Sequence, residues 1–427
     1  MPHAQTQAQH PIRTALAAAL IGGIALPAAA TNGMNLEAYG AKAGGMGGAS
    51  FAYENGNSAI MNNPATLGLR QEGGNIGVGL TLLMPDVATR MNHPLAGPMT
   101  APSDGDQYWM PSLSYIRKSG KFTYGAGMLA QGGMGTEYGS SSFLSNGTGL
   151  PMRSEVGLGR LMFPLAYNVN DNFTVAGQLD YVWASMDVQM LMPDGSGHAS
   201  FSDNNDFTGE AAGNGWAFKL GAHYKVSSAL AFGAAYHSKT NIGDLQGNGT
   251  FTMLPGGIQV PTQFKVVDFQ WPETYGVGVA WQATPTLMLA ADIKHLGWKD
   301  SMKDFRLGMN MGGAWMVGAM PQNWKDQTVI MIGGQYMLAP GLALRAGYNH
   351  ASNPVPDGTL NPLFPATIES HYTFGVGWNI GGGHAVAASL AVAPKVTRTN
   401  PNMFGAGMPG TVSHSQKTLR VNYNYSF

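Results

Sequence analysis

The sequence predicts an all-β membrane protein: a 14-stranded antiparallel transmembrane β-barrel with an N-terminal hatch, or plug, inside the lumen. Three observations lead to this prediction. An export signal is followed by no apolar run long enough for a membrane helix, apolar and polar residues alternate along many segments, and short connections alternate with long ones. Without a membrane helix, only a closed barrel can satisfy every backbone polar group in lipid.

Composition excludes several other classes of protein. Charged residues are 11% of the 427-residue chain, against about 25% in an ordinary soluble protein, and glycine is abundant at 60 residues. The balance of 23 Lys and Arg against 24 Asp and Glu disfavours a nucleic-acid partner. The chain has no cysteine, which excludes thiol catalysis, cysteine-ligated metals and disulfides.

The first 30 residues are predicted to be a signal peptide. Arg13 precedes an apolar run from Ala15 to Leu26, and the small residues 28–30 follow it as a cleavage site. The alternative, a membrane anchor, needs about 20 apolar residues, which this run does not supply. The mature protein is therefore expected to be exported.

Apolar residues recur with a period of two in the predicted strands. In the last eleven residues of the chain, Leu419, Val421, Tyr423, Tyr425 and Phe427 share one face, and polar residues occupy the other. Similar alternation recurs at 173–183, 216–225, 230–237, 274–282, 342–349 and 372–380. Such segments are typical of strands with one apolar and one polar face.

The connections between these runs predict the strand number. Tight turns are expected near 119–120, 169–171, 227–228, 284–285, 339–341 and 381–383. Long loops are expected at 87–106, 132–152, 193–211, 240–262, 297–325, 351–368 and 397–413. Six short and seven long connections in alternation predict 14 strands within residues 73–427, with both termini on the periplasmic, short-turn side. A β-propeller would need a repeat that the sequence lacks.

Residues 31–72 are predicted to form the hatch. Small inward-facing residues would leave a wide lumen in the barrel, and this glycine-rich segment precedes the first strand. A flexible periplasmic tail is the alternative. The plug is favoured by the segment's apolar residues, which are Phe51, Tyr53, Ile60, Met61, Leu67 and Leu69.

Several blocks of sequence resemble the FadL/TodX family of outer-membrane transporters. Asn63, Pro64 and Ala65 match the Asn-Pro-Ala step of the family's hatch, although Thr66 follows where the family usually has glycine. Residues 153–182, 269–298 and 323–365 are similar to family strands four and five, eight and nine, and ten and eleven, in the same order. The resemblance extends over essentially the whole mature chain.

The resemblance implies passive uptake of hydrophobic molecules across the outer membrane of a Gram-negative bacterium. Long-chain fatty acids or aromatic and aliphatic hydrocarbons would be caught by extracellular loops, bound in an apolar lumen pocket and released sideways through a kinked third strand. Gln131-Gly132-Gly133 replaces the family's Pro-Phe-Gly in that strand, so Gly132, Gly133 and Gly135 are the candidates for the kink. A monomer in contact with outer-membrane lipid and lipopolysaccharide, without cofactors, is expected.

Two groups of residues are candidates for binding substrate. Met309, Met311, Trp315 and Met316 lie in an apolar loop suited to substrate capture, or to packing over the barrel mouth. Arg160, Lys294 and Arg345 have inward parity and could bind a carboxylate. Alternatively, each of these three pairs with a hatch or wall carboxylate such as Glu54 or Asp292.

No catalytic or metal-binding motif is present in the sequence. The 11 histidines are scattered without an H-E-x-x-H pair, and neither a G-x-S-x-G elbow nor a P-loop occurs. An enzyme is therefore not expected. The alternatives to a transporter are a nonspecific diffusion porin and an outer-membrane adhesin.

Overall fold

A computed structural model describes residues 32–205, 208–405 and 407–427. The predicted signal peptide, residues 1–30, lies outside the described residues. In the part of the chain that is described, no helix has the length and apolar character needed to cross a membrane.

The described residues form a single antiparallel sheet of 21 strands. The strands are β1 (Gly73–His93), β2 (Gly97–Pro102), β3 (Tyr108–Ser119), β4 (Phe122–Tyr138), β5 (Met152–Asn168), β6 (Phe173–Leu191), β7 (Gly197–Phe201), β8 (Ala211–Lys225), β9 (Leu230–His237), β10 (Asn241–Ile242), β11 (Leu245–Met253), β12 (Ile258–Val266), β13 (Thr274–Thr284), β14 (Leu287–Leu296), β15 (Asp304–Met311), β16 (Ala314–Pro321), β17 (Gln327–Ala339), β18 (Leu342–Ala351), β19 (Ser370–Gly381), β20 (His384–Asn400) and β21 (Gly410–Ser426). The predicted number of 14 strands is therefore lower than the number of strands in the described residues.

The sheet closes on itself as a barrel. Its circuit of pairings runs β1, β3, β4, β5, β6, β8, β9, β13, β14, β17, β18, β19, β20, β21 and returns to β1. The closing ladder between β1 and β21 is continuous from Asn75 opposite Ser426 to Met91 opposite Gly410. Each strand of the circuit therefore pairs with a neighbouring strand on both sides.

The two faces of the wall alternate as the sequence predicts. On β8, Trp216, Phe218 and Leu220 are about half exposed on the outside, whereas Ala217 and Lys219 are buried inside. The same rule holds for the exposed apolar side chains of β1, β13, β19 and β21. The outer face therefore suits a hydrocarbon solvent, and the inner face carries the polar groups.

The six short turns are confirmed at their predicted positions, where they join β3–β4, β5–β6, β8–β9, β13–β14, β17–β18 and β19–β20. The long connections differ from the prediction, which expected loops without strands. They contain β2, β7, β10, β11, β12, β15 and β16, and the predicted loop at 132–152 begins with the end of β4. These extra strands pair with one another and with the ends of the circuit strands, as β11 does with β12, β7 and β8, so they extend the barrel at its long-loop end.

We call residues 32–72 the amino-terminal segment. It forms a four-residue helix at Ala41–Gly44 and two 3₁₀ helices, Gly56–Ile60 and Pro64–Leu69. Most of its side chains are buried against inward-facing residues of the wall. Asn63 caps the last helix, because its Oδ1 accepts a hydrogen bond of 3.1 Å from the N–H of Ala65.

Polar groups of the amino-terminal segment are hydrogen-bonded to several strands of the wall. The N–H of Ala41 donates to Asn422 Oδ1 at 2.6 Å, and the N–H of Gly47 donates to Thr373 Oγ1 at 2.9 Å. On the opposite part of the circuit, Asn63 Nδ2 donates to the carbonyl of Ala222 at 3.0 Å. Since these bonds satisfy buried polar groups, they fix the segment's position.

Candidate functional site

One seam of the wall is shorter than its neighbours. The ladder between β3 and β4 ends where Ser112 pairs with Leu129. On the other side of β3, the ladder with β1 continues to Tyr108, and on the other side of β4, the ladder with β5 continues to Tyr138. The two strands therefore separate toward the long-loop end while each stays attached to its outer neighbour.

A bulge at Gln131 accompanies the separation. The register of the β4–β5 ladder shifts between Ala130 and Gly132, which leaves Gln131 as an extra residue. Two residues further on, the N–H of Gly133 donates to the carbonyl of Met34 in the amino-terminal segment at 3.1 Å. A side chain at Gly132 would clash with the same carbonyl. The kink predicted at these glycines is thus a bulge at which β4 contacts the segment.

An apolar cavity of about 340 Å³ lies at this seam, and we call it the side cavity. It is lined by the amino-terminal segment at Met34 and Leu36, by β3 at Trp109, and by β4 at Met134 and Gly135. Trp109 is 44% exposed toward the outside, so the lining extends from the lumen to the outer face. The side cavity therefore lies where the wall is not closed by backbone hydrogen bonds.

Arg160 is held in a buried ionic cluster on the inner side of the bulge. Its Nη1 lies 2.8 Å from Asp180 Oδ2, and its Nε donates to Gln131 Oε1. Lys219 Nζ lies 3.4 Å from the same Asp180 oxygen and donates to the carbonyl of Ile60 at 3.3 Å. Arg160 therefore pairs with a wall carboxylate, which was the alternative to binding a ligand. Its partner is Asp180.

The other two carboxylate-binding candidates lie elsewhere. Lys294 lines a small cavity of about 30 Å³ between the segment and β14. Its neighbour Asp292 accepts hydrogen bonds from the N–H groups of Ser50 at 2.6 Å and Phe51 at 3.0 Å. Arg345 lies on β18 toward the short-turn end. The structure therefore does not bring Arg160, Lys294 and Arg345 together around one ligand.

The methionine-rich loop is a β-hairpin. Met309 and Met311 belong to β15, and Trp315 and Met316 belong to β16. Met311, Trp315 and Met316 are 46%, 37% and 61% exposed, and the Trp315 ring lies 4.9 Å below the Nζ of Lys265. None of these residues lines the side cavity. Substrate capture by these exposed side chains stays a prediction.

Two charged contacts hold the amino-terminal segment in place. Glu37 forms a buried ion pair of 2.8 Å with Arg420 on β21. Burial opposes its ionisation, but Arg420 and His371 together lower the pKa of Glu37. Glu54 lies between Lys42 at 3.0 Å and Arg70 at 3.3 Å. Burial alone would raise the pKa of Glu54, but these two cations lower it to about 2.

Sequence reasoning missed the residues that hold the bulge. Gln131 was considered only as a departure from a family motif, yet its side chain joins Arg160 to the amino-terminal segment through Asn35 at 3.2 Å. Trp271 also donates to Asn35 Oδ1, at 2.8 Å. No periodic signal marks such contacts, because they join residues far apart in the chain. Across the three described ranges, no group of His, Cys, Asp or Glu is placed to hold a metal ion.

Comparison with known proteins places this fold in a class. The model of the family described as outer membrane protein transport protein (OMPP1/FadL/TodX) matches residues 19–427, so the chain belongs to that family. Its members are outer-membrane β-barrels of Gram-negative bacteria that act as transport channels for hydrophobic compounds and fatty acids, and not as enzymes.

Solved structures share the fold over nearly their whole length. The P. putida toluene transporter TodX is 30% identical, with a TM-score of 0.81, and the match covers 92% of this chain and 99% of that one. The Ralstonia pickettii toluene transporter TbuX is 28% identical, with a TM-score of 0.74 and the same shares. A Pseudomonas aeruginosa FadL homologue at 16% identity and a TM-score of 0.76 shares the fold, with coverage of 92% and 100%.

A curated relative matches only locally. An uncharacterized protein in the phosphoenolpyruvate carboxykinase gene 5′ region of Chlorobium limicola is 60% identical over 74 residues. The match covers 17% of this chain and 36% of the relative, so the chain spans about a third of the relative's length.

Proposed function

We propose that this protein is a passive uptake channel for small neutral hydrocarbons, with release sideways into the membrane between β3 and β4. In this proposal the 14 strands of the closed circuit are the membrane-spanning wall. The amino-terminal segment is the hatch, positioned in part by Asn63, Pro64 and Ala65. The short turns and both termini face the periplasm, and the hairpins of the long connections face the outside.

The observation that carries this proposal is the side cavity at the unclosed seam. Met34 and Leu36 bound it on the hatch side, and Trp109, Met134 and Gly135 bound it on the wall side. A hydrocarbon there is removed from water, which is worth about 25 cal/mol per Å² of apolar surface. The missing β3–β4 pairs give it a path to lipid that breaks no further backbone hydrogen bonds.

The size and chemistry of the side cavity favour a small neutral ligand. Its volume of about 340 Å³ is near the lower end of the ~300–1,000 Å³ found for ligand pockets. Of the three residues predicted to bind a carboxylate, Arg160 lies nearest to the side cavity. It is 1% exposed and already paired with Asp180. A carboxylate would have to displace that pair. The relatives TodX and TbuX, both toluene transporters by name, support a monoaromatic hydrocarbon as substrate.

The amino-terminal segment argues against a diffusion porin. Its bonds to Asn422, Thr373 and Ala222 tie it to widely separated parts of the barrel. A porin keeps a water-filled channel instead. In planar bilayers, the protein is therefore expected to conduct ions poorly, whereas steady porin-like conductance would contradict the proposal.

Filling the seam tests the route. The side chain of a Gly135→Leu variant would project toward the Tyr108 ring, between β3 and β4. Uptake of dilute radiolabelled toluene by cells producing this variant is expected to fall about tenfold relative to the unmodified protein. The matched control is Gly177→Leu on β6, where an added Cβ would meet no atom within 4 Å and uptake should not change. Equal uptake by the two variants would contradict release through the seam.

A further inference from the structure

The side cavity is lined mostly by apolar groups, but β21 contributes two polar side chains to it. His414 and Gln416 both line the side cavity, and they are 7% and 5% exposed. Because they are two residues apart on one strand, their side chains point to the same, inward face. In the closing ladder they pair with Val87 and Pro85 of β1, which also line the cavity. We call His414 and Gln416 the β21 patch.

The ring of His414 has one nitrogen bonded and the other unused. Its Nδ1 lies 3.0 Å from the carbonyl oxygen of Pro365, another residue of the cavity lining. A carbonyl oxygen only accepts, so Nδ1 carries the proton and Nε2 of the neutral ring is an acceptor. Nε2 is buried and has no hydrogen-bond partner among the described residues. A buried acceptor without a donor is unfavourable by its full desolvation penalty.

Two side-chain amides of the lining also have unused groups. Gln416 Nε2 donates to Thr418 Oγ1 at 3.4 Å, and no described residue donates to Gln416 Oε1. In the amino-terminal segment, Asn35 lines the side cavity, and its Nδ2 is buried without a partner among the described residues. The polar part of the lining therefore includes two acceptors and one donor that no described residue engages.

These unused groups suit a ligand that is mostly apolar and carries a hydroxyl group. A hydroxyl can donate to an acceptor and accept from a donor, whereas a methyl group does neither. An ionised carboxylate only accepts, so it would leave the two acceptors unpaired. Toluene would leave them unpaired as well. A hydroxyl that donates to one of them removes the penalty of an unsatisfied buried group.

We propose that the side cavity selects phenols, which are aromatic rings bearing a hydroxyl group, and that this hydroxyl donates to the β21 patch. His414 and Gln416 are then specificity-determining residues. Phenols are uncharged at pH 7, as the tyrosine side chain is, so the apolar part of the lining accepts the ring as it accepts toluene. The inference rests on the proposed uptake route, because it uses the same cavity, and it adds discrimination between neutral ligands of similar size.

Equilibrium dialysis with radiolabelled ligands tests this selection on the folded full-length protein in lipid nanodiscs, with binding to empty nanodiscs subtracted. The probes are toluene, p-cresol and 4-methylanisole. p-Cresol is toluene with a hydroxyl group, and 4-methylanisole has a methyl group in place of the hydroxyl proton. p-Cresol is expected to bind about fivefold more tightly than either of the others, as one additional hydrogen bond provides. Equal affinities for p-cresol and 4-methylanisole would overturn the inference.

Variants of the β21 patch assign the selection to its residues. The double variant His414→Phe/Gln416→Leu should bind p-cresol no more tightly than toluene, with toluene binding unchanged. Each single variant shows whether that residue accepts the proton. The matched control is Ser389→Ala on β20, because Ser389 Oγ is also buried without a partner among the described residues but does not line the side cavity. A preference for p-cresol that survives in the double variant would overturn the inference.

Toluene binding separates this inference from the proposed function. It also shows, together with heat-resistant mobility in gels, that each variant has folded. If the unmodified protein binds toluene but does not prefer p-cresol, the selection of phenols alone is wrong. If the unmodified protein binds p-cresol through the β21 patch but does not bind toluene, the uptake of neutral hydrocarbons alone is contradicted.

Discussion

The β3–β4 and β1–β21 seams differ in how the wall is closed. The β1–β21 ladder joins 17 residue pairs, whereas the β3–β4 ladder joins eight. Where the shorter ladder stops, β4 bonds to Met34 in the amino-terminal segment instead of to β3. The barrel thus exchanges a strand–strand contact for a contact with its own amino-terminal segment, and an apolar cavity occupies the place of the missing ladder.

The largest expected effect concerns the cluster that holds the bulge. Asp180→Asn would leave Arg160 and Lys219 buried without a counter-charge, which costs about 3–5 kcal/mol in comparable pairs. The control is Asp86→Asn beside the β1–β21 seam, where the 3.1 Å pair with Lys395 is largely exposed and is worth at most about 1 kcal/mol.

Urea unfolding of the two variants in lipid vesicles gives the comparison. A midpoint for Asp180→Asn well below that of Asp86→Asn is expected. Equal midpoints would show that the ionic cluster does not stabilise the wall at the bulge.

A smaller effect is expected from the exposed hairpin, which would act before substrate reaches the seam. Replacing Met311, Trp315 and Met316 with serine removes apolar surface that can hold a hydrocarbon at the barrel mouth. Uptake of toluene is expected to fall several-fold at low concentration and to recover at high concentration. The seam variant Gly135→Leu should not recover. Unchanged uptake at low concentration would exclude this hairpin from capture.

The alternation of apolar and polar residues predicted which side chains face into the barrel and which face out, because successive residues of a strand point to opposite faces. It placed Arg160 and Arg345 inside, and glycine, proline, serine and asparagine marked the six short turns. It could not predict the partner of Arg160, because Asp180 is opposite Met162 and reaches Arg160 only through the β5–β6 register.

The sequence also could not predict the extra strands or the residue at which the β3–β4 ladder ends. Strand β11 contains Gly247, Asn248 and Gly249, residue types that are typical of loops, but it pairs with β12 in a hairpin. The seam depends on Met34 and Gly133 meeting inside the barrel, a contact between residues 99 positions apart. Glycines in β4 permit a bulge, but they do not specify which neighbouring ladder will end.

The smallest expected effect is a pH dependence of the contact that Glu54 makes within the amino-terminal segment. Its pKa of about 2 is below the value of about 4.3 in an unfolded chain, so its stabilisation is complete above about pH 4.3 and is lost as pH falls toward 2. Because its side chain is 37% exposed, solvent screening limits the effect to about 1 kcal/mol or less.

Urea midpoints measured between pH 5 and pH 2 test this contact. The decrease in stability on acidification should be smaller in Glu54→Gln than in the unmodified protein. Asp171→Asn, in an exposed turn, serves as the control and should leave the decrease unchanged. A decrease of equal size in all three proteins would contradict a contribution from Glu54.

Photolabelling during transport tests the open seam most directly. A small aromatic diazirine, taken up by the folded protein in lipid and then activated by light, will mark the residues it passes. We expect adducts on Trp109, Met110 and Met134, on either side of the seam. Adducts confined to residues near the short-turn end such as Ile60 and Met337, with none at the seam, would show that substrate passes the amino-terminal segment toward that end and would contradict the account.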